Sequence, residues 1–238
     1  MQPLQHTIIG ERLYTLILVD ADDTLFDFSL TERIAVEKTF RGMDAGIPYD
    51  ELVAEYHRIN KILWKEVELG TMDTKRIRSE RFRRLFNELK LPYSPVEYGE
   101  KYIGYLSEGT TLLDGAEELC RQWSERCPVV IVTNGIADVQ RARIERSVIR
   151  PSISGIIISE EVGASKPDAR MFEAAFACVG RTDKHNVVMI GDSLTSDIQG
   201  GMNFGIDTCW YNPKGLPNTL ENEPTYQVRT LSEMKNII

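Results

Sequence analysis

The feature that most constrains the fold is an alternation of short apolar runs with helical segments in the second half of the chain. Four runs rich in apolar and β-branched residues lie at positions 129–132, 153–158, 187–190 and 208–211. Segments with helical spacing of apolar side chains separate them. Because parallel strands need long crossover connections, usually helices, this alternation predicts an α/β fold with a doubly wound parallel sheet.

A fifth apolar run, at residues 14–19, ends at Asp20 and lies far from the other four along the chain. A continuous apolar run of this length is typical of a strand that is buried on both faces. We assign it to the same sheet, because a single strand would have no partner. A chain of 238 residues is long enough for such a core domain with a smaller insertion.

The insertion, residues 27–109, is predicted to form four amphipathic helices joined by short loops, as in a small bundle. Ser29 and Ser94 are each expected to open a helix through a capping box, and Asp50 is expected to cap the second helix. The predicted domains are a Rossmann-like core, residues 1–26 and 110–238, and an inserted four-helix cap, residues 27–109.

The composition excludes several classes of protein. A net charge of −8 argues against a nucleic-acid-binding surface over the whole molecule. The four cysteines form no C-x-x-C pair and the three histidines lie far apart, so we expect neither zinc nor disulfides, and a reducing compartment is favoured. No signal-peptide pattern or membrane-spanning run is seen. We therefore expect a cytoplasmic protein that binds neither nucleic-acid polymers nor membranes, in an unknown oligomeric state.

Polar residues follow each predicted strand. In a doubly wound sheet the active site lies beyond the carboxyl ends of the strands, so these side chains are expected to converge on one crevice. Several ionised carboxylates do not crowd together without a cation, and Mg²⁺ prefers oxygen ligands. The pattern therefore predicts a Mg²⁺ site. The residues in question are Asp20, Asp22 and Thr24, then Thr133 and Asn134, then Lys166, then Asp192 and Asp197.

Read in order, these residues form D-x-D-x-T, T-N-G, K-P and G-D-S-x-x-x-D, and this series resembles the motifs of the haloacid dehalogenase superfamily. The resemblance covers essentially the whole chain. The insertion resembles the superfamily's helical cap of the first type. The segments I-S-E-E-V-G at 158–163 and S-D-I-Q-G-G at 196–201 are similar to one branch, the house-cleaning pyrimidine 5′-nucleotidases.

The resemblance implies a magnesium-dependent phosphomonoester hydrolase that works through an aspartyl-phosphate. Asp20 would be the nucleophile, and Asp22 the general acid and then the base for the attacking water. Asp20, Asp192 and the main-chain carbonyl of Asp22 would bind Mg²⁺. The remaining implied roles are phosphate binding by Thr133, Asn134 and Lys166, orientation of Lys166 or a metal-bound water by Asp197, and bracing of the first loop by Thr24.

The cap is expected to contact the leaving group of the substrate. His57, Asn60 and Trp64 share one helical face, where they would contact a nucleobase; packing and solvation explain the same pattern. Residues 75–84 carry six cationic side chains, which would steer anionic substrates or form a solvated helix face. The loop at residues 43–49 is a further candidate by family position.

Three functions stay open at this point. The first is hydrolysis of a small-molecule phosphomonoester, with a pyrimidine nucleoside 5′-monophosphate as the leading substrate and a sugar phosphate as the alternative. The second is a phosphomutase, which needs a longer-lived phosphate on Asp20. The third is a non-catalytic binding protein. A true dehalogenase is disfavoured by Asp22, because carbon–halogen cleavage needs no acid for the leaving group.

Overall fold

A computed structural model of the protein describes residues 13–236. All six strands belong to one parallel sheet. The strands are β1 (Leu16–Val19), β2 (Val129–Thr133), β3 (Gly155–Ile158), β4 (Val187–Gly191), β5 (Asp207–Tyr211) and β6 (Tyr226–Val228). Their order is β3-β2-β1-β4-β5-β6. The predicted doubly wound parallel sheet is confirmed, and the connectivity reverses beside β1, where ligand crevices form in such sheets.

Nine α-helices are present in the described part of the chain. Those between β1 and β2 are α1 (Phe28–Phe40), α2 (Tyr49–Glu68), α3 (Thr74–Glu88), α4 (Pro95–Ser107) and α5 (Ala116–Ser124). Those after β2 are α6 (Ala137–Arg146), α7 (Ser159–Val162), α8 (Ala169–Cys178) and α9 (Gln199–Phe204), with a π-helical turn at Leu194–Ile198. No helix within residues 13–236 combines the length and the apolar character needed to cross a membrane.

The central strands are buried on both faces. Successive side chains of β1 alternate between two hydrophobic clusters: Ile17 and Val19 pack on one side, and Leu16 and Leu18 on the other. Because neither face meets water, the strand is apolar at every position, which explains the continuous run in the sequence.

Helices α1–α4, which we call the helical cap, pack around a hydrophobic cluster that also includes Ile136 and Val139 of the core. Its centre is aromatic: Tyr56 makes edge-to-face contacts with Phe40 and Tyr102, and Phe82 lies against all three rings. The domain boundaries at residues 26/27 and 109/110 stay a prediction. Residues 1–12 of the predicted core, and residues 237–238, lie outside the described part of the chain.

The starts of two cap helices differ from the sequence expectation. Asp27, not Ser29, caps α1, and its Oδ1 accepts a hydrogen bond of 2.8 Å from the amide of Leu30. Ser29 lies inside the helix and donates instead to Asp23. The boundary therefore falls two residues earlier, because the Asp27 carboxylate already satisfies a free amide of the first turn.

Asp50 does not cap α2, because Pro48 occupies the cap position and Asp50 lies in the first turn. There its charge still suits the positive end of the helix dipole. Ser94 caps α4 as predicted, with Oγ accepting from the amide of Glu97 at 3.4 Å, while the Glu97 side chain pairs with Lys101. Strand β6 is absent from the sequence prediction, since its three residues form no apolar run.

Two linkers, residues 22–27 and 108–113, connect the sheet to the helical cap, and we call them the linker ribbon because they pair with each other. Phe26 and Leu112 form an antiparallel bridge, and the amide of Leu113 donates to the carbonyl of Leu25 at 2.8 Å. Gly109 is required for the close approach of the second linker to α1, since a Cβ there would lie 2.2 Å from Thr31 Cγ2. The helical cap is thus joined to the core through two linkers that are hydrogen-bonded to each other.

Candidate active site

A buried lysine connects the ends of several core elements. The Nζ of Lys166 lies 2.6 Å from Asp20 Oδ1, just after β1, and 2.7 Å from Asp197 Oδ1, just after β4. It also donates to the carbonyl of Val132 in β2 at 2.5 Å. All three charged side chains are almost entirely buried. The structure therefore brings three of the predicted site residues into direct contact.

Three carboxylates crowd around this lysine. Oxygens of Asp20, Asp192 and Asp197 all lie within 4.8 Å of one another. Burial raises the pKa of Asp20 to about 7, because the attraction of Lys166 offsets it only in part. Desolvation in the crevice, followed by repulsion from Asp20 and Asp197, raises the pKa of Asp192 to about 8, although part of that residue is open to solvent. The site therefore has more negative charge than its lysine balances.

Asp197 is already engaged by the protein. Its Oδ2 accepts from the amide of Ser193 at 3.1 Å, while its Oδ1 faces Lys166. Gly191, the last residue of β4, allows the Asp197 carboxylate to pack against the strand, since a Cβ at this position would lie 2.2 Å from Asp197 Oδ2. Asp197 thus contacts both Lys166 and the loop after β4.

The loop that carries Asp192 is tied to its neighbours on both sides. The main-chain amide of Asp192 donates to Thr24 Oγ1 at 3.1 Å, and the Asp192 carbonyl accepts from Trp210 Nε1 at 2.9 Å. Thr24 therefore fixes the loop after β1 to the loop after β4, so that Asp20 and Asp192 keep their separation.

Thr133 and Asn134 at the end of β2 have different surroundings. Thr133 is buried, and its Oγ1 has no hydrogen-bond partner within the described residues. The Asn134 side chain donates to the carbonyl of Lys166 at 3.0 Å and accepts from its amide at 2.8 Å. The sequence prediction considered only the main-chain N–H of Asn134. It missed these two hydrogen bonds, which hold the main chain of Lys166.

The carboxyl group of Asp22 is bound by two residues that the sequence analysis missed. Arg143 Nη1 lies 2.6 Å from Asp22 Oδ1, and Gln140 Nε2 lies 2.6 Å from Oδ2. Both donors belong to α6, the helix that begins just after the T-N-G motif, and both are buried. Their i, i+3 spacing beside that motif was the available signal, but polar pairs at this spacing are common on helices that serve no site.

The three predicted cap residues do not share one environment. Asn60 is buried and donates to Glu32 Oε1 at 2.8 Å, so its side chain lies inside the bundle. His57 is about half exposed, with Nδ1 3.7 Å from Glu32 Oε2. Trp64 is partly buried against the cap cluster. Of the three, His57 and Trp64 keep surface that a ligand can reach.

The basic segment at residues 75–84 is largely engaged within the protein. Arg78 pairs with Asp138 and Glu160 of the core at 2.7 and 3.1 Å. Arg81 is buried, donates to Tyr56 Oη at 3.1 Å and stacks on Tyr102. Two further arginines pair with acidic residues of α2 and α3: Arg83 with Glu80, and Arg84 with Glu80 and Glu66.

A cleft of ≈ 760 Å³ separates the α2–α3 turn of the cap from the segment around α7. Ser165 and Pro167, which flank Lys166, line its floor, and Lys75 lies on the cap side. Asp20 and Asp22 do not line this cleft, so it adjoins the charged centre without including it. Its volume falls in the range of small-molecule sites.

The family model described as haloacid dehalogenase-like hydrolase matches residues 14–205. The chain belongs to this family. The match includes every motif residue described above, from Asp20 to Asp197. The protein is accordingly a hydrolase, as its strand-end motifs indicated.

The similarity to known proteins extends over nearly the full length of this chain. The HAD-hydrolase YfnB of Bacillus subtilis is 36% identical over 95% of this chain and 96% of its own. Two relatives are named pyrimidine 5′-nucleotidases: PynA of Streptococcus pneumoniae, 34% identical over 94% of this chain and 97% of its own, and YjjG of Escherichia coli, 32% identical over 93% and 96%.

Solved structures agree with the family assignment. The crystal structure of Bacillus subtilis YfnB bound to magnesium has a TM-score of 0.82, with 36% identity over 93% of this chain and 96% of that one. The L-2-haloacid dehalogenase of Xanthobacter autotrophicus has a TM-score of 0.72 and 16% identity over 93% and 96%, and it shares the fold.

Proposed function

We propose that this haloacid dehalogenase-like hydrolase is a magnesium-dependent phosphatase that transfers the phosphoryl group of a small phosphomonoester to Asp20. The observation that carries the proposal is the contact between Lys166 and Asp20 Oδ1, which leaves Oδ2 without a hydrogen-bond donor among residues 13–235. A carboxylate oxygen that is held but unoccupied is suited to nucleophilic attack. The unpartnered hydroxyl of Thr133 supplies a donor for a phosphate oxygen.

The donor set at the site fits Mg²⁺. Asp20 and Asp192 offer carboxylate oxygens, and no sulfur or imidazole group belongs to the described acidic cluster. The main-chain carbonyl of Asp22 would be the third protein ligand. Burial, and then repulsion between the carboxylates, raises the pKa values of Asp20 and Asp192, and a bound cation would favour their ionised forms. When bound, Mg²⁺ would supply charge stabilisation for the phosphoryl oxygens.

The side chains divide the chemistry between two steps. Asp20 Oδ2 attacks phosphorus while Asp22 gives a proton to the departing oxygen, and Lys166 and Thr133 stabilise the charge on the phosphoryl group. Asp22 then takes a proton from the water that hydrolyses the phosphate on Asp20. The side chains of Asp197 and Asn134 support these steps by holding Lys166, and the main-chain amide of Asn134 supplies a second donor to the phosphate.

We propose a pyrimidine nucleoside 5′-monophosphate as the substrate. PynA and YjjG, similar over nearly the whole chain, support this choice by their names. The cleft beside Lys166 has room for a nucleoside, and His57 and Trp64 remain accessible on the cap. A sugar phosphate is the second candidate, since a ribulose-1,5-bisphosphate 5-phosphatase of Halopiger xanaduensis is 26% identical over 94% of this chain.

A screen of phosphate release with Mg²⁺ tests both levels of the proposal. Pyrimidine and purine nucleoside 5′-monophosphates are compared with sugar phosphates of one, two or more phosphate groups, and kcat/KM is measured for each. We expect the pyrimidine nucleotides to rank first. A sugar phosphate in first place would replace the substrate but keep the phosphatase. An isomerised phosphate ester without free phosphate would indicate a mutase, and no release from any ester would overturn the catalytic proposal.

A further inference from the structure

We propose that Arg143 and Gln140 are positioning residues that aim the Asp22 carboxyl group and couple it to the linker ribbon beneath the helical cap. The inference rests on the proposed function, in which Asp22 carries the proton to the leaving group. It assigns a role to two side chains of α6 that bind the Asp22 carboxyl group and not the carboxylates of Asp20 or Asp192.

Each oxygen of the Asp22 carboxyl group is bound by a different side chain. Arg143 Nη1 donates to Oδ1 at 2.6 Å, and Gln140 Nε2 donates to Oδ2 at 2.6 Å. Two donors on two oxygens fix the plane of the group as well as its position. The Arg143 and Gln140 side chains are shielded from water, whereas Asp22 keeps 22% of its side-chain surface exposed. The two donors therefore approach Asp22 from the buried side, and part of its carboxyl group stays open to solvent.

The two donors are themselves held rigidly. The Arg143 guanidinium lies over the ring of Phe26 at 4.8 Å and over that of Phe28 at 5.3 Å. Gln140 packs directly on Gly135, where a Cβ would lie 2.7 Å from its Nε2. The glycine of the T-N-G motif is therefore required by the hold on Asp22, which is a structural reason for its position.

The same guanidinium contacts both linkers. Its Nε donates to the carbonyl of Gly109 at 2.8 Å in the second linker, while Phe26 and Phe28 lie in and just after the first. A rotation of the helical cap about the linker ribbon moves Gly109 and Phe28 relative to α6. Since Arg143 is bound to both and to Asp22, such a rotation changes how the proton carrier is aimed.

Two atoms of this assembly have no partner within the described residues: Arg143 Nη2 and Gln140 Oε1. Both are buried, and a buried polar atom without a hydrogen bond is costly. In a second arrangement, Asp22 would turn toward the leaving group and one of its oxygens would accept a hydrogen bond from Arg143 Nη2. This arrangement would give Nη2 the partner that it lacks. The unmet donor therefore fits a side chain that serves two positions of Asp22.

The test compares a phosphate ester that needs proton donation with one that does not. In an alkyl ester, such as a nucleoside 5′-monophosphate, the leaving group is a strongly basic alkoxide unless its oxygen is protonated. In 4-nitrophenyl phosphate the leaving group is the weakly basic 4-nitrophenolate, which needs no proton. The parameter is kcat/KM, which covers only the steps up to release of the first product. The variants are Arg143→Lys and Gln140→Met, and the control is Arg141→Lys, an exposed neighbour on α6 that pairs with Glu161.

We expect kcat/KM for the alkyl ester to fall about 10- to 100-fold in both variants, and that for 4-nitrophenyl phosphate to change less than about 3-fold. Asp22→Asn should show the same selectivity with a larger loss, and Arg141→Lys should match the wild type. Equal losses for the two esters, or no loss, in folded variants would overturn the positioning role. If Arg143→Lys does not fold, Gln140→Met decides alone.

Failure of the proposed function is recognised separately in the same experiment. A wild-type protein that releases no phosphate, or an Asp22→Asn variant that loses both esters equally, would remove Asp22 as proton carrier and the coupling with it. A wild type and an Asp22→Asn variant that behave as expected, with unaffected α6 variants, would overturn the coupling alone.

Discussion

Lys166 Nζ lies 2.6 Å from Asp20 Oδ1, although the two residues are 146 positions apart in the chain. Both side chains are buried, so the pair is formed where neither charge is well solvated. Asp197 shares the same ammonium group, so two buried carboxylates depend on one cation. This arrangement holds Asp20 in place without neutralising the site, and it leads to predictions about activity and stability.

Replacing Asp20 by Asn is expected to abolish phosphate release while the fold persists. An amide oxygen is a poor nucleophile and cannot form the acyl phosphate, so kcat should fall by at least about 1,000-fold. Circular dichroism checks the fold. The control is Asp23→Asn, three positions on in the same loop, whose left-handed backbone (φ 57°) suits asparagine and whose side chain binds Ser29. Activity retained in Asp20→Asn would exclude Asp20 as the nucleophile.

Replacing Lys166 by Met is expected to lower both activity and stability. Two buried carboxylates lose their cation, which costs about 3–5 kcal/mol in the free energy of unfolding. The double variant Lys166→Met/Asp197→Asn should recover about 1–2 kcal/mol, because one unpaired charge is removed, yet remain inactive. Urea unfolding without metal measures the stability, and phosphate release measures the activity.

A lysine at the amino-terminal end of the strands, opposite the site, serves as the control for this prediction. Lys184 lies just before β4 and donates to the carbonyl of Phe204. The variant Lys184→Met should keep full activity. If the double variant is no more stable than Lys166→Met, the shared pairing would not account for the loss.

Replacing Asp192 by Asn is expected to stabilise the metal-free protein and to remove its response to Mg²⁺. Without metal and above about pH 8, where Asp192 is ionised, three carboxylates within 4.8 Å repel one another, and the substitution removes one charge. We expect a rise in Tm of about 2–4 °C for roughly 1 kcal/mol. Mg²⁺ should raise the Tm of the wild type, and a chelator should stop its turnover.

The matched control for the metal prediction is Asp183→Asn, an exposed carboxylate paired with Arg181 away from the site. It should keep the Mg²⁺-dependent rise in Tm. An Asp192→Asn variant with an unchanged Mg²⁺ response, or wild-type activity that persists in chelator, would contradict the assignment of Asp192 as a ligand.

Glu80 in the helical cap is expected to contribute stability that depends on pH. Hydrogen bonds from Arg83, and then from Arg84, lower the pKa of Glu80 from its ordinary 4.5 to about 2. Because the folded pKa is the lower one, the contribution is complete above about pH 4.5 and is lost as pH falls toward 2. Arg83 is 55% exposed, so we expect only about 1 kcal/mol.

The variant Glu80→Gln should therefore unfold more easily than the wild type at about pH 7, and the difference should narrow between about pH 5 and pH 3. Its KM should not change, because the arginines of residues 78–84 are engaged with the protein. The exposed pair Glu37–Arg41 gives the control, Glu37→Gln, for which little effect is expected. A difference that grows at low pH would have the wrong sign for a carboxylate with a lowered pKa.

Sequence periodicity was sufficient to predict five of the six described strands and the four cap helices, because these elements depend on local patterns. The strand β1 is apolar at each position since it is buried on both faces, and its end marks the place of Asp20. Strand β6 was missed because its three residues are held by pairing with β5, not by their own pattern. The α1 start was misplaced because Asp27 and Ser29 both satisfy the capping rule, and only the backbone geometry decides between them.

The sequence by itself determined which polar residues come together beyond the carboxyl ends of the strands. Asp20, Asp22, Thr133, Lys166 and Asp192 follow strands whose ends must meet at one side of a parallel sheet. Only the tertiary structure decided what each side chain touches. The hold of Arg143 on Asp22 spans 121 residues, and the turn of Asn60 toward Glu32 spans 28. Such contacts depend on how separate elements pack and on which buried polar groups find partners, and no local pattern records either.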